Sequence, residues 1–212
     1  IESVNSIYKQ TKEQKEKEAE IIPSYLDDRI NQPNVFDFPK VMEIIQREKE
    51  TDDTGKIGII LESALGTRSI DLLNSDVMDL KINPNKTDEV IITGRSKIRN
   101  DVDYEESKVE SISIRPVGIT SEEVVDLLKK YRANVPDQIS LINEQSKEQM
   151  KKLTPLQKIQ FINAKLGKKY NSKLGAAAKK MFPDEAKFAE EQKRPFASHV
   201  FRALHANMSF QM

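Results

Sequence analysis

The 212-residue chain has no cysteine, which removes thiol nucleophiles, disulfides and thiolate metal sites together and agrees with a reducing compartment. It has no charge excess either. Lys and Arg number 34 and so do Asp and Glu, so any surface for a polyanion must come from uneven placement of charge. No apolar run approaches the roughly 20 residues that cross a bilayer. There is no signal-peptide pattern, and a soluble, cytoplasmic protein without membrane partners is expected. Histidine is scarce: the two in the chain, His199 and His205, both lie in "RPFASHVFRALHANM", residues 194–208. No convincing metal-ligand cluster exists, so no metal and no cofactor is expected. The chain opens on Ile1 and stops inside an amphipathic stretch, "SFQM", and reads as a piece of something longer.

What is present is length for one full-sized domain and an aliphatic content that can supply its core. Residues 1–34 are a charged helical lead-in and linker: "ESVNSIYKQTKEQKEKEAE" alternates Lys and Glu, and Pro23, Pro33 and Pro39 mark a connection. The compact domain is expected over 35–212. "KVMEIIQREKE" puts Val41, Ile44 and Ile45 on one helix face, and Ile57, Ile60, Leu61 and Ala64 do the same before Gly66, a helix stop. A short helix, "SIDLLN", follows. The period then changes to alternation in "DLKIN", "EVIIT" and "SISIRPV", joined by "NPNK" and "NDVDYEES", which predicts a three-stranded antiparallel sheet. Helix resumes at "TSEEVVDLLKKYR", where Thr120 and Glu123 have capping-box spacing. "PDQISLINEQSKEQMKKL", "TPLQKIQFINAKLG" and "NSKLGAAAKKMF" continue with helical spacing. The fold class is therefore mainly α with a small antiparallel β-sheet, α+β.

Charge is uneven along that order. Between Lys151 and Met181 stand Lys151, Lys152, Lys158, Lys165, Lys168, Lys169, Lys173, Lys179 and Lys180, with no Asp or Glu. Residues 101–126 are correspondingly acidic. A purely basic helical stretch is a candidate phosphate-binding face, since each phosphate neutralised releases counterions. The competing reading is a solvated face.

Four groups draw attention by their order: Arg68 in "LGTRSIDLL", Lys97 in "TGRSKIR", and His199 and Arg202 in "SHVFR". Each alone has an ordinary structural reading. In this order they resemble the active site of the tyrosine recombinase superfamily. "ALGTRSIDLL" resembles its first arginine motif, with Ser69, Ile70 and Asp71 after the arginine; "TGRSKIRND" resembles the strand turn with the active-site lysine; "SHVFRALHANM" resembles the His-x-x-Arg helix. The last two stretches look closest to the telomere resolvases, with Thr93-Gly94-Arg95-Ser96-Lys97 and Arg202-Ala203-Leu204-His205-Ala206 as the corresponding words. The resemblance implies a recombinase-like catalytic domain over 35–212. It implies a bacterial or phage-encoded enzyme that cleaves and rejoins double-stranded DNA through a phosphotyrosyl intermediate, as a homodimer or higher oligomer on DNA. Arg68 and Arg202 would clamp the non-bridging phosphate oxygens, Lys97 would be the general acid for the leaving 5′-oxygen, and His199 would bond the phosphate or assist proton transfer. Arg95, Arg99, Lys168, Lys169, Lys173, Lys179 and Lys180 would be DNA contacts.

The pattern departs at the nucleophile. Tyr8, Tyr25, Tyr104, Tyr131 and Tyr170 all precede His199, whereas the resemblance puts the attacking tyrosine beyond Arg202. Either that segment lies past Met212, or cleavage is lost and DNA binding kept, as in a repressor or architectural factor. A helical interaction module without nucleic acid is the third reading. His205, Tyr131 and Tyr170 are expected to pack, and Phe201 and Leu204 to anchor the last helix.

Overall fold

In the computed structural model the described residues are 36–94, 111–193 and 196–211, within a unit that spans Phe36–Met212. The lead-in expected over 1–34 lies outside them. Helix α1 (Phe38–Glu48) starts at Asp37, whose carboxylate accepts from the Lys40 amide, and it buries Val41, Ile44 and Ile45. Helix α2 (Thr54–Leu65) is capped by Asp53 and is buried on nearly every side, as its almost wholly apolar sequence requires. The short α3 (Ser69–Leu73) follows, then β1 (Asp79–Asn83), β2 (Lys86–Thr93) and β3 (Ser111–Ile114). The three strands are antiparallel in the order β1-β2-β3, with Leu80 opposite Ile92 and Val90 opposite Ile114. Pro84 and Asn85 alone make the first turn, closed by the Asn83 side chain, which accepts from the Asn85 amide at 3.0 Å.

Helix α4 (Ser121–Arg132) begins with the Thr120–Glu123 capping box and packs on the sheet and on α2. Then come α5 (Pro136–Gln145), α6 (Lys147–Met150), α7 (Pro155–Met181), α8 (Pro183–Glu191) and α9 (His199–Gln211). Three details differ from the sequence expectation. "PDQISLINEQSKEQMKKL" is two helices that meet at Ser146, while the two stretches after it are one helix, α7, which passes unbroken through Gly167. Packing sustains that glycine in mid-helix, because the buried face of α7 (Leu166, Tyr170, Leu174, Ala177, Met181) lies against α2 and α3. Helix α8 had no expected counterpart.

The axis of the fold is α2. Gly55 and Gly58 let α7 approach it closely: a Cβ on Gly55 would stand 2.8 Å from the Lys173 carbonyl oxygen, and one on Gly58 2.5 Å from Leu174 Cδ2. A cluster of Phe36, Phe182, Phe196 and Phe201, with ring centroids 5.1 to 6.4 Å apart, joins α9 to the chain just before α1 and just after α7.

Candidate functional site

The C-terminal end of α2 shows how the fold treats the arginines. A helix end leaves its last carbonyls without helical partners, and here groups from distant segments meet them. The Glu62 carbonyl takes the Gly66 amide at 2.9 Å and the Ala64 carbonyl takes the Val117 amide at 3.0 Å. The Ser63 carbonyl faces His205 Nδ1 at 3.1 Å. A carbonyl can only accept, so that nitrogen carries the proton. Gly66 ends the helix with φ +65°, and the His205 ring fills the space its side chain would need, since a Cβ there would be 2.5 Å from Cδ2. Two independent demands thus meet at Gly66: the left-handed backbone and the seating of α9. The free Gly66 carbonyl accepts from Arg202 Nε at 3.0 Å.

Arg68 stands two residues further on, in extended conformation (φ −80°, ψ 131°), as the residue that precedes α3. It is half-buried and forms no hydrogen bond or ion pair among the described residues. Its own side chain does not cap α3. Glu62 does so from α2: one carboxylate oxygen accepts both the Ser69 amide, at 2.9 Å, and the Ser69 hydroxyl, at 3.0 Å. Glu62 is only 2% exposed. Burial pushes its acid up to about 7, against the pull of the Ser69 bonds and the Arg202 charge.

The structure therefore brings Arg202 to the four-residue turn on which Arg68 stands. His199 is the first residue of α9, one turn before Arg202, and its side chain is outside the described residues. Lys97, Arg95 and Arg99 lie outside them as well; β2 leads toward them through Gly94, whose φ is +87° where it passes the Val77 carbonyl. His205 is half-buried, with its basicity lowered mainly by that burial. It docks α9 onto α2, and Phe201, Leu204 and Met208 are the buried face of that helix.

Tyr131 and Tyr170 are sealed. Tyr131 is 0% exposed, and burial, then the Glu62 charge, raises its phenol far above the ordinary range. Tyr170 is 4% exposed and is also raised by burial. Tyr8, Tyr25 and Tyr104 are outside the described residues.

Along α7 the lysines at 158, 165, 168, 169, 173, 179 and 180 fall within an arc of about 140° at 3.6 residues per turn. That arc points away from the side packed on α2. Lys168, Lys179 and Lys180 are exposed, and no α7 lysine forms an ion pair among the described residues. Lys169 bonds the Gln138 side chain, and Lys173 lies 5.4 Å from the Tyr170 ring centroid. The arginine turn and the lysine helix are tied at the end of α3, where the next residue, Asn74, donates from Nδ2 to Asn163 Oδ1 at 3.3 Å.

Two participants were not anticipated from the sequence. Glu62 is the single acid in the apolar run "KIGIILESAL", a signal that could have marked it. Arg132 donates from Nε to the Leu72 carbonyl and from Nη2 to the Met78 carbonyl, both at 2.6 Å, pinning the path from α3 into β1. Nothing in its sequence context distinguishes it from its neighbours Lys129 and Lys130. No protein-family model, curated protein or solved structure matches the chain.

Proposed function

We propose that this chain grips the phosphodiester backbone of double-stranded DNA with Arg68 and Arg202, within a tyrosine-recombinase-like domain that cleaves and rejoins DNA strands. The observation that carries this reading is the bond from Arg202 Nε to the Gly66 carbonyl, 136 residues apart in sequence. It holds a cation of the last helix against the turn on which Arg68 stands. Two guanidiniums suit a phosphoryl centre because they keep their charge and offer paired donors to its non-bridging oxygens. In the reaction a tyrosine oxygen attacks phosphorus, the bond to the 5′-oxygen breaks, and that oxygen takes a proton. Lys97 is the candidate acid and His199 the candidate second group on the phosphate. The lysine arc of α7 would add sequence-independent affinity, with a homodimer or higher oligomer as the working unit on DNA.

A second reading, DNA binding without cleavage as in a repressor or architectural factor, is favoured by one observation. Both described tyrosines are sealed in the core, so neither can reach a phosphate. The test is a nicked duplex that traps covalent intermediates, incubated with the full-length protein. The cleavage reading expects a protein–DNA adduct that Arg68→Ala and Arg202→Ala each abolish. DNA binding weakened by both substitutions, with no adduct from the unaltered protein, supports the second reading. Absence of DNA binding even at low salt overturns both.

A further inference from the structure

We propose that Glu62 is the positioning residue of the Arg68–Arg202 pair, its buried carboxylate holding the Gly66–Ser69 turn from inside the fold. The proposal rests on the phosphate-gripping reading above. Glu62 holds the turn at both of its ends. Its carbonyl accepts the Gly66 amide at 2.9 Å. Its carboxylate accepts both donors of Ser69. A further bond joins Arg202 to the Gly66 carbonyl. Arg68 sits between the two anchored residues, with a side chain that has no partner of its own among the described residues. The direction in which Arg68 leaves the backbone is thus set by Glu62 on one side and by α9 on the other.

Leucine fills a similar volume in a helix otherwise apolar, without the cost of taking an acid out of water. What leucine cannot do is accept the Ser69 amide and hydroxyl together. The second carboxylate oxygen of Glu62 is buried and meets no hydrogen-bond partner among the described residues, so the Ser69 bonds to the first oxygen are what hold the group in place. Around it stand Ser69 from α3, the Tyr131 phenol from α4, Ser198 just ahead of α9, and Arg202 of α9. His205, also on α9, faces the adjacent Ser63 carbonyl. Arg202 is the cation among these, and a phosphate bound to it brings negative charge toward the carboxylate. DNA binding is therefore coupled to protonation of Glu62, and the coupling disappears when the acid is replaced by its amide.

The experiment is DNA affinity of the full chain, measured by fluorescence anisotropy with a 30-base-pair duplex, for the unaltered protein, Arg68→Ala, Glu62→Leu, Glu62→Gln and the Glu62→Leu/Arg68→Ala double variant. Removal of one charge-assisted hydrogen bond to phosphate is expected to weaken binding about tenfold in Arg68→Ala. Glu62→Leu is expected to lose a similar factor, and the double variant no more than Arg68→Ala alone, because the first substitution acts through the second. Glu62→Gln keeps an acceptor for Ser69 and is expected to bind like the unaltered protein at pH 6. The unaltered protein is expected to lose affinity from pH 6 to pH 8 more steeply than Glu62→Gln, in which any remaining slope belongs to the two histidines, His199 and His205. Independent, multiplicative losses in the double variant, or identical pH slopes in the unaltered protein and Glu62→Gln, overturn the proposal. Should Glu62→Leu fail to fold, the pH comparison still decides. If Arg68→Ala binds as the unaltered protein does, the phosphate-gripping reading itself fails and takes this proposal with it. An Arg68→Ala loss with Glu62→Leu unaffected overturns the proposal alone.

Discussion

Replacing Glu62 by glutamine should stabilise the fold at neutral and alkaline pH and leave it nearly unchanged in acid. The carboxyl group is 2% exposed and its acid is pushed up to about 7, whereas the ordinary value in an unfolded chain is about 4.5. The folded state thus holds a proton that the unfolded state has already released. The stability belonging to protonated Glu62 is fully present below about pH 4.5 and is lost as pH rises through about 7. The gap between the two values corresponds to about 3 kcal/mol, a large share of a domain stability of about 5 to 15 kcal/mol. Glutamine keeps an oxygen for the Ser69 donors and carries no charge to desolvate. Urea unfolding of both proteins at intervals from pH 4.5 to 8.5 measures the difference directly. Carboxylates held low by ion pairs, such as Glu48 beside Lys56 and Glu123 beside Lys49, are common to both and cancel. The advantage of Glu62→Gln should grow with pH to about 3 kcal/mol by pH 8. An advantage that stays constant across the range would refute a titrating buried acid at this position.

Gly66→Ala should cost about 1 to 3 kcal/mol from the left-handed backbone alone. It should also displace the His205 ring, read as a fall in Tm and early amide exchange in α9. Arg132→Ala removes two bonds from a half-buried guanidinium to the Leu72 and Met78 carbonyls. A loss of about 2 to 4 kcal/mol in urea unfolding is expected, and Arg132→Lys should not restore it because one ammonium cannot span both carbonyls. Replacing Lys168, Lys179 and Lys180 by glutamine should lower the slope of log affinity for duplex DNA against log salt by about 0.9 for each phosphate no longer neutralised, without change in Tm. An unchanged slope would mean that this arc is a solvated face.

Much of the local architecture is readable from near neighbours. Val41, Ile44 and Ile45 mark α1 by spacing alone, Thr120 and Glu123 announce the capping box of α4, and Gly66 stops α2 where a left-handed residue is required. The alternation in "DLKIN", "EVIIT" and "SISI" yields the three strands, although "RPV" leaves the ladder so that the Val117 amide can reach the Ala64 carbonyl. The continuity of α7 through Gly167 is not readable in this way. A glycine is unfavourable in an isolated helix, and only the long buried face on the other side of the same helix outweighs it.

The sequence by itself determined the three strands, most of the helices with their main caps, the order of Arg68 and Arg202 along the chain and the acid-free lysine run. Each follows from interactions among residues a few positions apart. The tertiary structure alone decided that Arg202 meets the carbonyl of Gly66, that a single acid in an apolar helix caps the helix after Arg68, and that the α7 lysines point away from the core. The first and the last depend on segments that pack across more than a hundred residues, and the second on the turn between α2 and α3, which folds Ser69 back onto Glu62. Such packing is selected by the closeness that Gly55, Gly58 and Gly66 allow, and no spacing along the chain encodes it.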